Sequence, residues 1–198
     1  MRLEYNVKEN TITFSYRRGQ TLMRALVVID YTIDFVATDG KLTCGAPGQA
    51  IEGRIADLME EFKDDYLVIA NDIHEENDPY HPETALFPPH NIRGTHGRDL
   101  FGRVAQYARY AHHAIDKTRY SAFAGTDLDL RLRERGVREV HLVGVCTDIC
   151  VLHTAVDAYN LGYSIVVHAD AVASFNPTGH DWALSHFKET LGAKVVEG

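Results

Sequence analysis

The sequence predicts an α/β protein with three layers, α/β/α, around a mostly parallel central sheet of about six strands. Three observations carry that prediction. Short, unbroken apolar runs recur along the chain, as expected of strands covered on both faces. Stretches with helical spacing lie between them, and three of these end in a glycine suited to a helix C-terminus. Run and stretch alternate in order, which right-handed crossovers satisfy by placing helices on both faces of one sheet.

Taken in order, residues 1–22 stand apart: "TITFSY" alternates polar and apolar side chains and predicts a strand or hairpin arm, an extension to a domain spanning 23–198. Met23 reads as a second initiation site. The first strand of the domain is "ALVVID" (25–30), and a helix is expected over 48–65. "YLVIAND" (66–72) and "HHAID" (112–116) are the next two strands, followed by a helix over 127–136. "VHLVGVC" (140–146), a helix over 147–162, "YSIVVHAD" (163–170), a helix over 180–192 and a weak "AKVVE" (193–197) complete the series. Residues 73–97 break the rhythm with four prolines and four histidines; a connection that long inside a domain is either disordered or functional.

The 198-residue length suits one main core, and 45% hydrophobic with 24% charged residues is an ordinary soluble composition. A formal charge of -8 offers nothing to nucleic acid or to an anionic membrane surface, which leaves small molecules as the expected partners. Three cysteines without framework spacing argue against a disulfide-stapled secreted domain, and no run approaches the ~20 apolar residues of a membrane span. The expected location is the cytoplasm.

Function in such a sheet is expected at the carboxyl ends of the strands. In "VVIDYTIDF" the strand ends at Asp30, and Lys117 follows another strand end in "HHAIDKTRYSAFAGTDL". Alone, the first also reads as a turn cap and the second as a solvated charge. "GVCTDICV" is more informative. With Thr147 as N-cap, Cys150 falls at N3, beside unpaired amides and the positive helix end, where a thiolate is stabilised. Cys146, just outside the cap, is placed to pack, with Val151 as a staple partner. If the three strand ends converge, Cys150 is a nucleophile, Asp30 takes and returns its proton, and Lys117 lowers the thiol pKa and holds the carboxylate. That set points to acyl transfer or hydrolysis of an amide-like bond. The long loop adds Asp72, His74, His81, Glu83 and His90, a mixed carboxylate and imidazole set suited to zinc, iron or manganese, or simply a solvated loop.

These motifs together resemble the isochorismatase-like cysteine hydrolases, and most closely their nicotinamidase (pyrazinamidase) branch. The resemblance runs from Met23 onward through "VVIDYTIDF", "DIH…FPPH", "KTRYSAFAGTDL" and "GVCTDICV", in that order. It implies a Rossmann-type strand order and a catalytic triad of Cys150, Asp30 and Lys117. It also implies a cis peptide at Val145–Cys146, with the amides of Cys146 and Cys150 forming an oxyanion hole. One divalent ion, zinc first and iron or manganese next, is implied on Asp72, His74, His90 and either Glu83 or His81, Glu83 by spacing. Phe35, Phe87 and Tyr120 are the implied walls for a pyridine ring. The implied activity is hydrolysis of nicotinamide to nicotinate and ammonia, a step of NAD salvage, by a homo-oligomer. Two other readings compete: a metal-free amidase of the same superfamily acting on a carbamoyl or ureido compound, and a non-catalytic metal or thiol-redox sensor.

Overall fold

Six apolar runs form six strands, and in the computed structural model these lie side by side in one sheet in which every pairing is parallel. The structure describes residues 2–6, 11–15 and 23–198. In the N-terminal segment, β1 (Arg2–Asn6) and β2 (Thr11–Ser15) pair antiparallel, from Arg2 opposite Ser15 to Asn6 opposite Thr11; the rest of the expected 1–22 extension lies outside the described residues.

The main sheet comprises β3 (Arg24–Ile29), β4 (Tyr66–Asp72), β5 (His113–Lys117), β6 (Glu139–Val145), β7 (Ser164–Ala173) and β8 (Lys194–Val196), in the order β5-β4-β3-β6-β7-β8. From β3 the chain moves outward to β4 and β5, then returns to the other side of β3 with β6. The order therefore reverses between β3 and β6, which opens a crevice at their carboxyl ends.

Strand runs that read as continuously apolar are divided between two cores by the two-residue strand period. On β3, Ala25, Val27 and Ile29 join one cluster with residues of α5 (Leu128–Glu134), α6 (Leu152–Asn160) and α7 (Pro177–Glu189). Leu26 and Val28 face the other way, onto Ile55, Leu58 and Met59 of α3 (Glu52–Glu61) and Val104 of α4 (Gly102–Tyr107). Each fully buried aliphatic side chain contributes about 1.5–3 kcal/mol, so both faces must be covered for such a run to be stable as a strand.

Several expected boundaries are corrected. The 48–65 helix is two pieces, α2 (Ala46–Ala50), which begins with a proline in its first turn, and α3. The last helix starts three residues early, at Pro177, because Asn176 accepts the Gly179 amide at 3.1 Å as a cap. The short α1 (Ile33–Val36) and α4 are too brief for periodicity to reveal. The 73–97 connection carries 3-10 turns at Pro82–Ala85 and His96–Arg98. The three helix-ending glycines, Gly136, Gly162 and Gly192, do take positive φ of 68°, 83° and 62°.

Candidate active site

Asp30 follows β3 directly, Lys117 ends β5, and Cys150 lies in the turn after β6, so parallel register brings three distant residues to one edge of the sheet. The Lys117 ammonium lies 2.7 Å from Asp30 Oδ2 and 3.6 Å from Cys150 Sγ; both charged side chains have 0% exposure. It meets Asp30 Oδ2 as a close, fully buried ion pair. Asp30 Oδ1 accepts the Asp72 amide at 2.7 Å. Asp30 itself takes φ of 55°, a conformation that non-glycine residues adopt only where surrounding structure holds it.

Electrostatics at this triangle follow from burial. Burial, with a smaller contribution from Asp72, holds the Asp30 carboxyl above its usual range although Lys117 pulls it down. Burial also works against the Lys117 charge, but Asp30, Cys150 and Asp72 outweigh it and keep the ammonium charged. The expectation that Cys150 has a lowered pKa is corrected. Burial pushes the thiol well up, Lys117 opposes this, and Asp30 adds to the rise. Burial thus favours the protonated thiol, and the Asp30 carboxyl faces the same ammonium.

The start of the 147–162 helix is corrected as well. Cys146, not Thr147, is the N-cap, and Thr147–Val151 is a π turn, so Cys150 is the fourth residue after the cap. Thr147 Oγ1 instead pairs with His180 Nδ1 of α7 at 2.8 Å, and Asp148 Oδ1 accepts from the Ser174 hydroxyl at 2.6 Å. The turn is therefore fastened from outside. Gly179 permits this approach, since a Cβ there would lie 2.0 Å from Asp148 Oδ2. The Val145–Cys146 peptide is cis. Cys146 does not staple to Val151, which faces the opposite core; its sulfur lies 3.3 Å from that of Cys44.

Beside the triangle, Asp72, His74, Glu83 and His90 each present a ligand atom, all within 4.8 Å of one another and all buried. Asp72 ends β4, and the 73–97 loop supplies the other three. His90 donates from Nδ1 to the Pro88 carbonyl at 2.8 Å, which leaves Nε2 aimed at Asp72 and Glu83 with no hydrogen-bond partner among the described residues. Burial disfavours a charge on His90, yet Asp72, Glu83 and Pro88 raise its pKa to about 10. Burial likewise opposes the Asp72 charge, but the bond to His74, the His90 imidazole 3.5 Å away and the nearby Lys117 hold its carboxyl well below the usual range. Two carboxylates and two imidazoles converging on an orphaned nitrogen fit a divalent cation, which would take the place of the shared proton. Glu83 and not His81 belongs to this set: both His81 ring nitrogens are engaged, with the Thr118 carbonyl at 2.8 Å and the Glu83 amide at 3.3 Å.

A narrow void of about 20 Å³ lies beside Cys150 and reaches Glu83 of the cation cluster. Phe35, Phe87 and Tyr120 line it together with Cys146 and Cys150. Phe35 and Phe87 also pack on the His90 ring, at 5.2 and 6.3 Å between centroids. Leu42, Ile149 and Phe175 share the wall; no motif marks them in the sequence. Asn91 and Asp34 act as supports that no motif marks in the sequence. The Asn91 carbonyl accepts the His74 amide at 3.1 Å, its own amide donates to Asp34 Oδ2 at 2.8 Å, and its Oδ1 accepts from Thr32 at 2.9 Å. The one signal was a second aspartate four residues after Asp30.

Residues 24–198 match the family model described as Isochorismatase domain. A Bacillus subtilis (strain 168) protein described as "Uncharacterized isochorismatase family protein PncA" is 62% identical over 183 residues, which cover 89% of this chain and 100% of that one. The crystal structure of nicotinamidase/pyrazinamidase PncA from Bacillus subtilis matches with a TM-score of 0.86 at 57% identity, over 89% of this chain and 100% of that chain. The crystal structure of a pyrazinamidase of Pyrococcus horikoshii in complex with zinc matches with a TM-score of 0.79 at 30% identity, over 89% of this chain and 99% of that chain.

Proposed function

The chain belongs to the isochorismatase family, and from that premise we propose that it is an amidohydrolase converting nicotinamide to nicotinate and ammonia through a thioester on Cys150. The observation that carries this reading is the buried Asp30–Lys117–Cys150 triangle, with Lys117 2.7 Å from the carboxylate and 3.6 Å from the sulfur, opening on an aromatic-walled void.

The pyridine ring packs between Phe35, Phe87 and Tyr120, with its amide carbon over Cys150 Sγ. Asp72, His74, Glu83 and His90 would hold a divalent ion, zinc in first place, and such an ion would supply Lewis acidity toward the ring nitrogen. Because burial favours the protonated thiol, Cys150 passes its proton to Asp30 as the sulfur attacks. The carbonyl oxygen becomes an oxyanion that accepts from the backbone amides of Cys146 and Cys150. Asp30 returns the proton to the leaving nitrogen, and ammonia departs. A water then donates a proton to Asp30 as it attacks the thioester, and the released thiolate recovers that proton. Lys117 stays charged throughout and holds the carboxylate between the two proton positions.

The product nicotinate suits a step of NAD salvage, and three free cysteines suit a reducing cytoplasm. Among the described residues no helix is long and apolar enough to cross a membrane. The test is ammonia release from nicotinamide by the purified protein, by Cys150→Ala and by Cys146→Ala, each with and without a chelator. The reading expects loss with Cys150→Ala or the chelator, and retained turnover with Cys146→Ala, which keeps its amide. Chelator-resistant activity favours the metal-free amidase, and no ammonia at all favours the sensor.

A further inference from the structure

The proposed chemistry uses Cys146 through its backbone alone and does not use Cys44, yet these two thiols are in direct contact. They are 102 positions apart in sequence, both are buried, and their sulfurs are 3.3 Å apart. Each is anchored to a different wall of the substrate void. The Cys44 amide donates to the Phe35 carbonyl at 2.8 Å, and the Leu42 amide donates to the Asp34 carbonyl at 3.0 Å, so residues 42–44 move with α1 and its Phe35 wall. Gly48 leaves space for the Cys44 side chain, since a Cβ there would lie 3.0 Å from Cys44 Cβ. Cys146 opens the π turn that carries Ile149 and Cys150, and it lines the void itself. A small oxidant entering by the substrate route therefore meets the Cys146 sulfur with a second thiol directly behind it.

We infer that Cys44 and Cys146 are a site of reversible disulfide formation by hydroperoxides, and that closing it draws together the two walls of the substrate void. A hydroperoxide transfers one oxygen to the Cys146 sulfur, giving a sulfenic acid and, from hydrogen peroxide, water. The Cys44 sulfur attacks that sulfur, an S–S bond forms, the S–O bond breaks, and the hydroxyl leaves as a second water with the Cys44 proton. The two thiols lose two electrons in all, and the peroxide gains them. An S–S bond is about 2.05 Å long, so the sulfurs close by more than an ångström from their 3.3 Å separation. That movement carries Phe35 and Leu42 toward the turn holding the nucleophile. The Cys44 thiol and burial hold the Cys146 thiol well above its usual range, which makes the reaction slow at neutral pH and favours an alkaline assay.

Bond formation is tested apart from catalysis in the Cys150→Ala protein, whose only thiols are Cys44 and Cys146. After excess hydrogen peroxide at alkaline pH, the denatured protein should show no free thiol, a monomer mass lower by two hydrogens, and recovery of both thiols with dithiothreitol. Retention of both thiols, added oxygen without hydrogen loss, or a bond between chains would overturn the site. The further Cys44→Ser change should abolish the two-hydrogen loss. The effect on turnover rests on the amidase reading: ångström-scale misplacement of reacting groups can cost up to about 100-fold in rate, and kcat/KM of the oxidised wild type should fall at least about tenfold and recover with dithiothreitol. An equal loss in Cys44→Ala would assign the effect to oxidation of Cys150 and remove the closing of the walls.

Discussion

Lys117 has no exposed surface, and its charge is tolerable only because Asp30 lies 2.7 Å away. Removing one member of a buried pair leaves the other uncompensated, so Lys117→Met should lower stability by about 3–5 kcal/mol in urea unfolding, whereas Cys150→Ala should abolish turnover with little change in stability. His90 carries a different consequence. Its pKa in the ion-free site is raised to about 10, above its unfolded value, so the stability it contributes is complete below that unfolded value and is lost as pH climbs through about 10. A cation must displace this proton, so affinity for zinc should rise about tenfold per pH unit between about pH 7 and about pH 9. Competition against a chromophoric chelator measures it, and a flat profile would exclude the proton from the site. At this scale much of the candidate site was legible: Asp30, Asp72, Lys117 and Cys150 all stand at or just past apolar runs. Asn91 and Asp34 were not legible as supports, because their work is done by backbone bonds to His74 and Asn91.

Among the elements, β3 and β6 set the geometry, since their carboxyl ends flank the crevice. Gly144, with φ of 115°, stands opposite Ile29, and a Cβ there would lie 2.0 Å from the Ile29 carbonyl oxygen. Gly144→Ala should therefore push β6 from β3 one residue before the cis peptide, costing about 3 kcal/mol or more in thermal unfolding and lowering kcat more than it raises KM. Unchanged stability would show that the strands yield at little cost. Strand runs were readable because a parallel strand covered on both faces has no polar side to interrupt it. The π turn was not, because it is held by His180 and Ser174, partners about 30 positions away in sequence, and not by a local cap.

For the molecule as a whole, the cation cluster joins the end of β4 to the 73–97 loop, whose fold depends on few apolar contacts of its own. An ion present at about 100 times its dissociation constant adds about 2.7 kcal/mol, so chelation should lower Tm by about 5–10 °C. It should also speed proteolysis within residues 75–89, and equal cleavage with and without chelator would show that the loop stands without the ion. The sequence by itself determined the layered α/β class, the order of the apolar runs and the identity of the chemistry-bearing side chains, because covered strands and residue types are local properties of a chain. Only the tertiary structure decided that Glu83 and not His81 faces the cation cluster, that Cys146 meets Cys44, and that burial pushes the Cys150 thiol pKa up. Those outcomes depend on which groups meet after burial, and burial strengthens or penalises each charge according to neighbours that the linear order does not place.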